Sequence, residues 1–330
     1  MSKVLVTGGA GYIGSHTVLC LLQAGYEVVV YDNLSTGFPQ AVLPPATLIQ
    51  GDLADGQHLQ EVLRSQDFSA IVHFAASIVV PESVADPLKY YQNNTSNTTR
   101  LVGLAVEHGV SRFIFSSTAA VYGYPEHLPV SEEASLAPIN PYGRSKLMSE
   151  WVIRDVSRAC PGFNHVILRY FNVAGADPQG RLGQSTPEAT HLIKVACQTA
   201  LGQRDVLSIF GTDYPTPDGT GVRDYIHVSD LAAAHVQALH WLEQGHPSDI
   251  FNCGYGHGFS VRDIISAVQE VCQQELPVSI AGRRRGDPAE LVADPGKLKA
   301  FMHWSPRFDS LEYIVRTAYA WEQQQQRNPW

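Results

Sequence analysis

The segment Thr7-Gly8-Gly9-Ala10-Gly11-Tyr12-Ile13-Gly14 limits the folds open to this chain more than any other part of it. It follows the β-branched run 3–7 and opens a stretch, 15–24, with apolar residues at helical spacing, so it reads as the turn from a first strand into a first helix. It satisfies G-x-x-G-x-x-G and, from Gly9, G-x-G-x-x-G. The glycines have separate tasks: a tight turn, close approach of backbone to a pyrophosphate, and close packing of helix on sheet, with the helix N-terminus facing the anion. A second strand at 27–31 is followed by Asp32, at the distance where a carboxylate binds ribose hydroxyls and repels a 2′-phosphate. NAD is therefore expected rather than NADP. A phosphate-loop nucleotide site is excluded, because Gly14 is followed by Ser15-His16 and not by Lys-Ser/Thr.

Further runs of strand length at 47–50, 70–74, 112–116 and 165–170 alternate with helical stretches at 55–65, 87–108 and 142–159. That alternation implies parallel pairing through right-handed crossovers, hence an α/β fold with a doubly wound parallel Rossmann-type sheet. Its ligands bind beyond the carboxyl ends of the strands. After Asn172 the chain turns to Gly-, Pro- and Asp-rich loops at 175–187 and 211–221, with a helix expected at 187–202. This is read as a second, smaller α/β substrate-binding domain. The strand-then-helix pattern at 223–242 returns to the first domain. The expected division is 1–172 plus about 223–250 for the dinucleotide, and 173–222 plus about 251–330 for the substrate.

With 44% hydrophobic and 17% charged residues the chain has the composition of a globular enzyme. Its formal charge of -9 argues against a nucleic-acid or anionic-membrane surface, so an anionic ligand must meet local positive groups. No apolar run approaches the roughly 18 residues of a spanning helix, and the opening residues hold no secretory apolar region, so a cytoplasmic location is expected. Cys20, Cys160, Cys197, Cys253 and Cys272 are scattered and form no C-x-x-C pair, which suits small buried hydrophobes. The 13 histidines show no H-E-x-x-H spacing, so no metal is expected and surface or capping roles are the default.

Tyr142-Gly143-Arg144-Ser145-Lys146 puts a tyrosine and a lysine at i and i+4 on one face of a helix announced by Asn140-Pro141. A phenol of ordinary pKa near about 10 is a poor base. An adjacent ammonium and a positive nicotinamide ring stabilise the phenolate and lower that pKa. The fifth strand ends Phe115-Ser116-Ser117-Thr118, bringing hydroxyls to the carboxyl edge of the sheet, where Thr118 could hold a substrate oxygen facing Tyr142. The plainer role for Thr118 is that of a cap or turn former.

Together with Val72-His73-Phe74-Ala75-Ala76, Leu168-Arg169-Tyr170-Phe171-Asn172 and Gly219-Thr220-Gly221-Val222-Arg223-Asp224-Tyr225-Ile226-His227-Val228, these blocks resemble the extended short-chain dehydrogenase/reductase family, and more closely its UDP-glucose 4-epimerase branch. The resemblance implies tightly held NAD, a UDP-hexose substrate and a homodimer formed through the helices at 87–108 and 142–159. It implies that Gly8, Gly11 and Gly14 shape the cofactor loop, that Tyr12, Ile13, Asp32 and Asn33 touch pyrophosphate and adenosine ribose, and that Asp52 and Leu53 border adenine. Phe74, Ala75, Ala76, Asn93, Lys146, Tyr170 and Phe171 would line the cofactor elsewhere. Toward the substrate, Asn172 would meet the sugar nucleotide, Phe210 would pack on uracil, Arg223 and Arg284 would neutralise the pyrophosphate, and Asp287 would take nucleotide hydroxyls. Arg284 belongs to the run Arg283-Arg284-Arg285 just before Gly286-Asp287.

The chemistry so implied interconverts UDP-glucose and UDP-galactose by oxidation at C4, rotation of the 4-keto sugar and hydride return. A 4,6-dehydratase or decarboxylase of the same fold begins alike, but a dehydratase needs an acidic pair after the threonine, where this chain has Ala119 and Ala120. A non-catalytic dinucleotide sensor would leave Thr118, Tyr142 and Lys146 unexplained. Three positions depart from familiar members: Ile78 where a lysine often stands, His191 where an asparagine often stands, and Leu291, intermediate between the bulky residue that restricts the pocket and the small one that admits N-acetylated hexoses.

Overall fold

The computed structural model describes residues 2–186, 189–284 and 286–330. The chain runs β1 (Lys3–Thr7), α1 (Tyr12–Gln23), β2 (Glu27–Asp32), β3 (Thr47–Gln50), α2 (Gly56–Ser65), β4 (Ala70–His73), α3 (Val80–Ala85) and α4 (Pro87–Tyr90), then a π-helical turn (Tyr91–Ser96) leading into α5 (Asn97–Glu107). It continues with β5 (Arg112–Ser116), α6 (Pro141–Ala159), β6 (Asn164–Tyr170), β7 (Asn172–Ala174), α7 (Leu192–Ala200), β8 (Leu207–Phe210), β9 (Val222–Arg223), β10 (Tyr225–His227) and α8 (Val228–Glu243). The remainder is β11 (Asp249–Cys253), β12 (Phe259–Ser260), α9 (Val261–Cys272), β13 (Val278–Ala281), β14 (Glu290–Leu291), α10 (Gly296–Met302) and α11 (Leu311–Arg327).

Seven strands pair in the order β11-β6-β5-β4-β1-β2-β3, every neighbour parallel. Strands buried on both faces need continuous apolar runs, and β1 supplies one. Val4 and Val6 point into the cluster built with Val18 and Leu21 of α1 and Leu231 and Leu239 of α8. Leu5, one residue out of phase, points the other way, to Leu59 of α2, Leu101 of α5 and Ile153 of α6. The chain reverses its direction of travel across the sheet between β1 and β4, which puts the ligand crevice beyond their carboxyl ends. The remaining strands form small sheets, β12-β9-β14, β8-β13 and β7-β10, with α7, α9 and α11 packed on one another beside them.

Several expectations need correction. The helix expected at 87–108 is interrupted by the π-helical turn. Its cause is tertiary: the buried Asn94 side chain donates to the Ser77 carbonyl and Ser145 hydroxyl and accepts from the Ser77 amide, and a wider turn allows that reach. The helix expected from 15 starts at Tyr12, because Gly11 is its N-cap. Of the helix expected at 187–202, α7 covers Leu192–Ala200, while Pro187 and Glu188 lie outside the described residues. In the segment 223–242 it is α8 that lies on the main sheet; β10 pairs with β7.

The histidines are the clearest departure from their expected surface and capping roles, since His16, His73, His227 and His235 are buried. Thr98 gives its proton to the Asn94 carbonyl and so accepts from His73 Nε2, which leaves Nδ1 to accept from Thr7 at 2.6 Å. Burial pushes the His73 imidazole down to about 3. His227 does cap α8, its Nδ1 accepting from the Ser229 amide. All five cysteines are free; Cys197 and Cys253 are buried and the others half-buried.

Candidate active site

The glycine loop comes first. Gly8 has φ +73°, and a Cβ there would lie 2.5 Å from the Ala75 amide nitrogen. A Cβ on Gly14 would overlap the Gly8 carbonyl. Side-chain-free backbone thus packs closely where α1 begins, which fits the demand of a pyrophosphate for near approach to amide donors at a helix N-terminus. Asp32 Oδ2 accepts from the Ala10 amide at 2.9 Å and Oδ1 from Leu34 at 2.8 Å. Burial raises its carboxyl pKa, and those two hydrogen bonds oppose the shift. Beside it the Asn33 amide donates to Asp52 at 2.8 Å, and Leu53 is buried with its carbonyl taken by Arg100. Asp32, Asn33, Asp52 and Leu53 therefore share one edge beyond β2 and β3. Ile13 packs into the core under α1, and the Tyr12 phenol reaches across to the Gly175 carbonyl.

The second part of the site forms beyond β5. Pro141 and the Asn140 side chain, which accepts from the Gly143 amide at 2.9 Å, start α6. Tyr142 and Lys146, one turn apart, are both buried. Thr118 takes the turn-forming role, its Oγ1 accepting from the Ala120 amide at 3.1 Å, and its side chain lies beside the Tyr142 phenol. Burial raises the Tyr142 pKa and the neighbouring Thr118 hydroxyl lowers it. The Lys146 amine donates to the Ser116 carbonyl at 2.7 Å and lies 4.6 Å above the Phe115 ring. Burial lowers its pKa to about 7, with the Glu150 charge opposing. Phe74 lies 4.7 Å from His235, Tyr170 lies beside Ser116, and Asn93 donates to Ser77 at 2.9 Å. Ala75 and Ala76 follow β4, and Ile78 on the same loop is exposed.

A third group lies on the second lobe. The Asn172 amide donates to the Asp224 carbonyl at 3.0 Å, Arg223 approaches Asp287 at 4.0 Å, and the Arg284 guanidinium lies 3.8 Å over the Phe210 ring. Arg285 lies outside the described residues. Leu291 is buried with Phe171, Ala119 and Tyr122. His191 precedes α7 and meets the Gln184 side chain at 2.8 Å. Among the described residues no group of three or more His, Cys, Asp or Glu could hold a metal ion.

Sequence reasoning missed the buried charges that support these groups. Glu150, one turn past Lys146, holds Arg169 through two bonds of 3.0 and 2.6 Å and accepts from Ser117. Arg169 also donates to Tyr122, which donates to Asn252. Asp224 takes the amides of Tyr255, Gly256 and Ala293. The i+4 spacing from Lys146 and the place of Asp224 beside Arg223 were the only available signals.

The family model described as the NAD dependent epimerase/dehydratase family matches residues 4–254. A UDP-glucose 4-epimerase of Azospirillum brasilense is 54% identical over 320 residues, covering 97% of this chain and 92% of that one. The crystal structure of UDP-glucose 4-epimerase from Brucella ovis in complex with NAD superposes with a TM-score of 0.94 at 44% identity, covering 97% and 98% of the two chains. The UDP-Glc/GlcNAc 4-epimerase of Campylobacter jejuni is 52% identical with a TM-score of 0.87, covering 98% and 100%.

Proposed function

The chain belongs to the NAD dependent epimerase/dehydratase family, and on that premise we propose that it interconverts UDP-glucose and UDP-galactose with Tyr142 moving the proton of the sugar 4-hydroxyl. It is an NAD-dependent isomerase, with no net redox change. When bound, NAD takes a hydride from sugar C4 and returns it to the opposite face. Tyr142 as phenolate removes the hydroxyl proton, Thr118 holds that oxygen, and Lys146 in its ammonium form favours the phenolate. Gly8, Gly11 and Gly14 admit the pyrophosphate of the cofactor, and Asp32 takes its ribose hydroxyls. Phe210, Arg223, Arg284 and Asp287 grip the nucleotide, so that the 4-keto hexose beside Asn172 can turn over while UDP stays anchored. The division of labour is residues 1–172 and about 223–250 for NAD, and the rest of the chain for UDP-sugar.

One observation carries this reading: a buried tyrosine beside a threonine at the carboxyl edge of the sheet, one helical turn from a buried lysine. Ala119 and Ala120 lack the acid that elimination of a 6-hydroxyl requires. UDP-N-acetylhexosamines are further substrates on the strength of Leu291, and the Campylobacter jejuni relative is named for both sugar classes. The active form is a cytoplasmic homodimer. Val84, Leu88, Met148 and Trp151 are exposed together on the packed helices α3, α4 and α6, a face that suits a second copy. Five free thiols suit a reducing compartment. The test is incubation of the purified protein with UDP-galactose and no added NAD. UDP-glucose should form without net absorbance change at the reduced-nicotinamide band. Tyr142→Phe should retain NAD and lose about 10²–10⁴-fold in turnover, whereas a 4-keto-6-deoxy product would overturn the assignment.

A further inference from the structure

Tyr12 opens α1 at the tip of the glycine loop, yet its phenol leaves that loop. It stands edge-on to His16 at 5.4 Å and donates to the Gly175 carbonyl at 2.6 Å. Gly175 has φ +91°, and a Cβ there would sit 2.6 Å from His227 Cδ2, so the turn is closed and only glycine fits it. Its other constraints come from the far side. Thr317 gives its own proton to the Ile314 carbonyl and accepts from the Ala176 amide at 3.1 Å. It also accepts from His227 Nε2 at 3.2 Å, which carries the ring proton because Nδ1 accepts from Ser229. Upstream, three residues away, stands Asn172. Downstream, Asp177 holds Arg181 at 2.7 Å, Gly183 lies against Trp321, and Gln184 meets His191. Asn172, Gly175, Gln184 and His191 line one small cavity, so the turn at Gly175 borders the surroundings of Asn172.

We propose that the Tyr12 hydroxyl is a positioning group that ties the cofactor loop to the wall of the nucleotide-sugar cleft through the Gly175 carbonyl, and so couples the binding of the two ligands. The proposal rests on the reading above that NAD lies at the N-terminus of α1 and the sugar nucleotide at Asn172. A ligand that fixes the first turn of α1 fixes Tyr12, and Tyr12 fixes the turn from which the cleft wall hangs. Coupling of this kind is reciprocal in binding free energy, so the sugar nucleotide must also tighten the binding of the dinucleotide, which slower release reads out when association is unchanged. Removing the hydroxyl leaves the glycines and helix amides in place and deletes only the tie.

The experiment uses the enzyme as purified, with its NAD. In the wild type, saturating UDP should slow NAD release. In Tyr12→Phe the Kd for UDP and the KM for UDP-galactose should each rise about fivefold, the effect of one hydrogen bond, with kcat changing less and the UDP effect on NAD release largely lost. Thr317→Val disturbs the same turn from the other side: UDP should bind more weakly while its effect on NAD release persists, and Thr317→Ser should restore binding. Wild-type values of both UDP affinity and UDP-dependent NAD release in Tyr12→Phe would overturn the proposal. So would a fall in melting temperature or NAD content with UDP affinity unchanged. Absence of wild-type turnover would instead remove the epimerase reading, since UDP binding and NAD release are read without catalysis.

Discussion

His16, His73, His227 and His235 show how far a side chain's surroundings decide its chemistry. Burial lowers their imidazole pKa values to about 4, 3, 3 and 4 respectively. The unfolded chain binds protons on these rings below the ordinary value of about 6.5, and the folded chain refuses them. Their contribution is therefore fully present above that pH and is lost on acidification towards 4, at about 1.4 kcal/mol per pH unit for each ring. Urea unfolding at pH 7.5 and 5.0 should show this loss, and His73→Gln should make it smaller. No spacing in the sequence announced these buried histidines, because a lone histidine beside apolar residues reads the same whether its partners are water or Thr7 and Thr98. Tyr142 and Lys146 were legible, since an i,i+4 pair is set by helix geometry alone. The amine's bond to the Ser116 carbonyl was not, because that carbonyl belongs to another element.

At the scale of the element, β1, β3 and β5 have the bounds read from their β-branched runs, and β2, β4 and β6 differ by a residue at one end. Local propensity and burial agree in these strands, so local pattern sufficed. The segment after Pro87 was misread because Asn94 obeys Ser77 and Ser145 rather than its own helix. α6 is the element on which the proposed chemistry depends, and its buried Glu150 is bonded to Arg169 and Ser117. Arg169→Met should cost about 3–5 kcal/mol, because it strands a buried carboxylate. Replacing the pair, Glu150→Leu with Arg169→Met, should recover much of that loss in the same denaturant titration. Equal losses in the single and double variants would show that the pair itself, not the stranded charge, is what the helix needs.

For the whole molecule, the exposed face of α3, α4 and α6 carries the next prediction. Trp151→Glu puts a charge on the proposed interface, and light scattering should show conversion of dimer to monomer with the monomer's secondary structure retained. An unchanged mass would remove that face as the contact. The sequence by itself determined the strand-turn-helix at the dinucleotide site, the parallel alternation, the position of Asp32, and the Tyr142, Lys146 and Thr118 set. Each of these depends on backbone geometry within one or two consecutive elements. Only the tertiary structure decided that the sheet gains β11 beside β6, that α8 from beyond the substrate loops covers its face, that Arg284 settles over Phe210, and that Tyr12 spans from the glycine loop to Gly175. Those contacts join residues far apart in the chain, and their partners exist only once distant segments have closed on one another. Burial and pairing depend on that closure, so no local pattern could have encoded them.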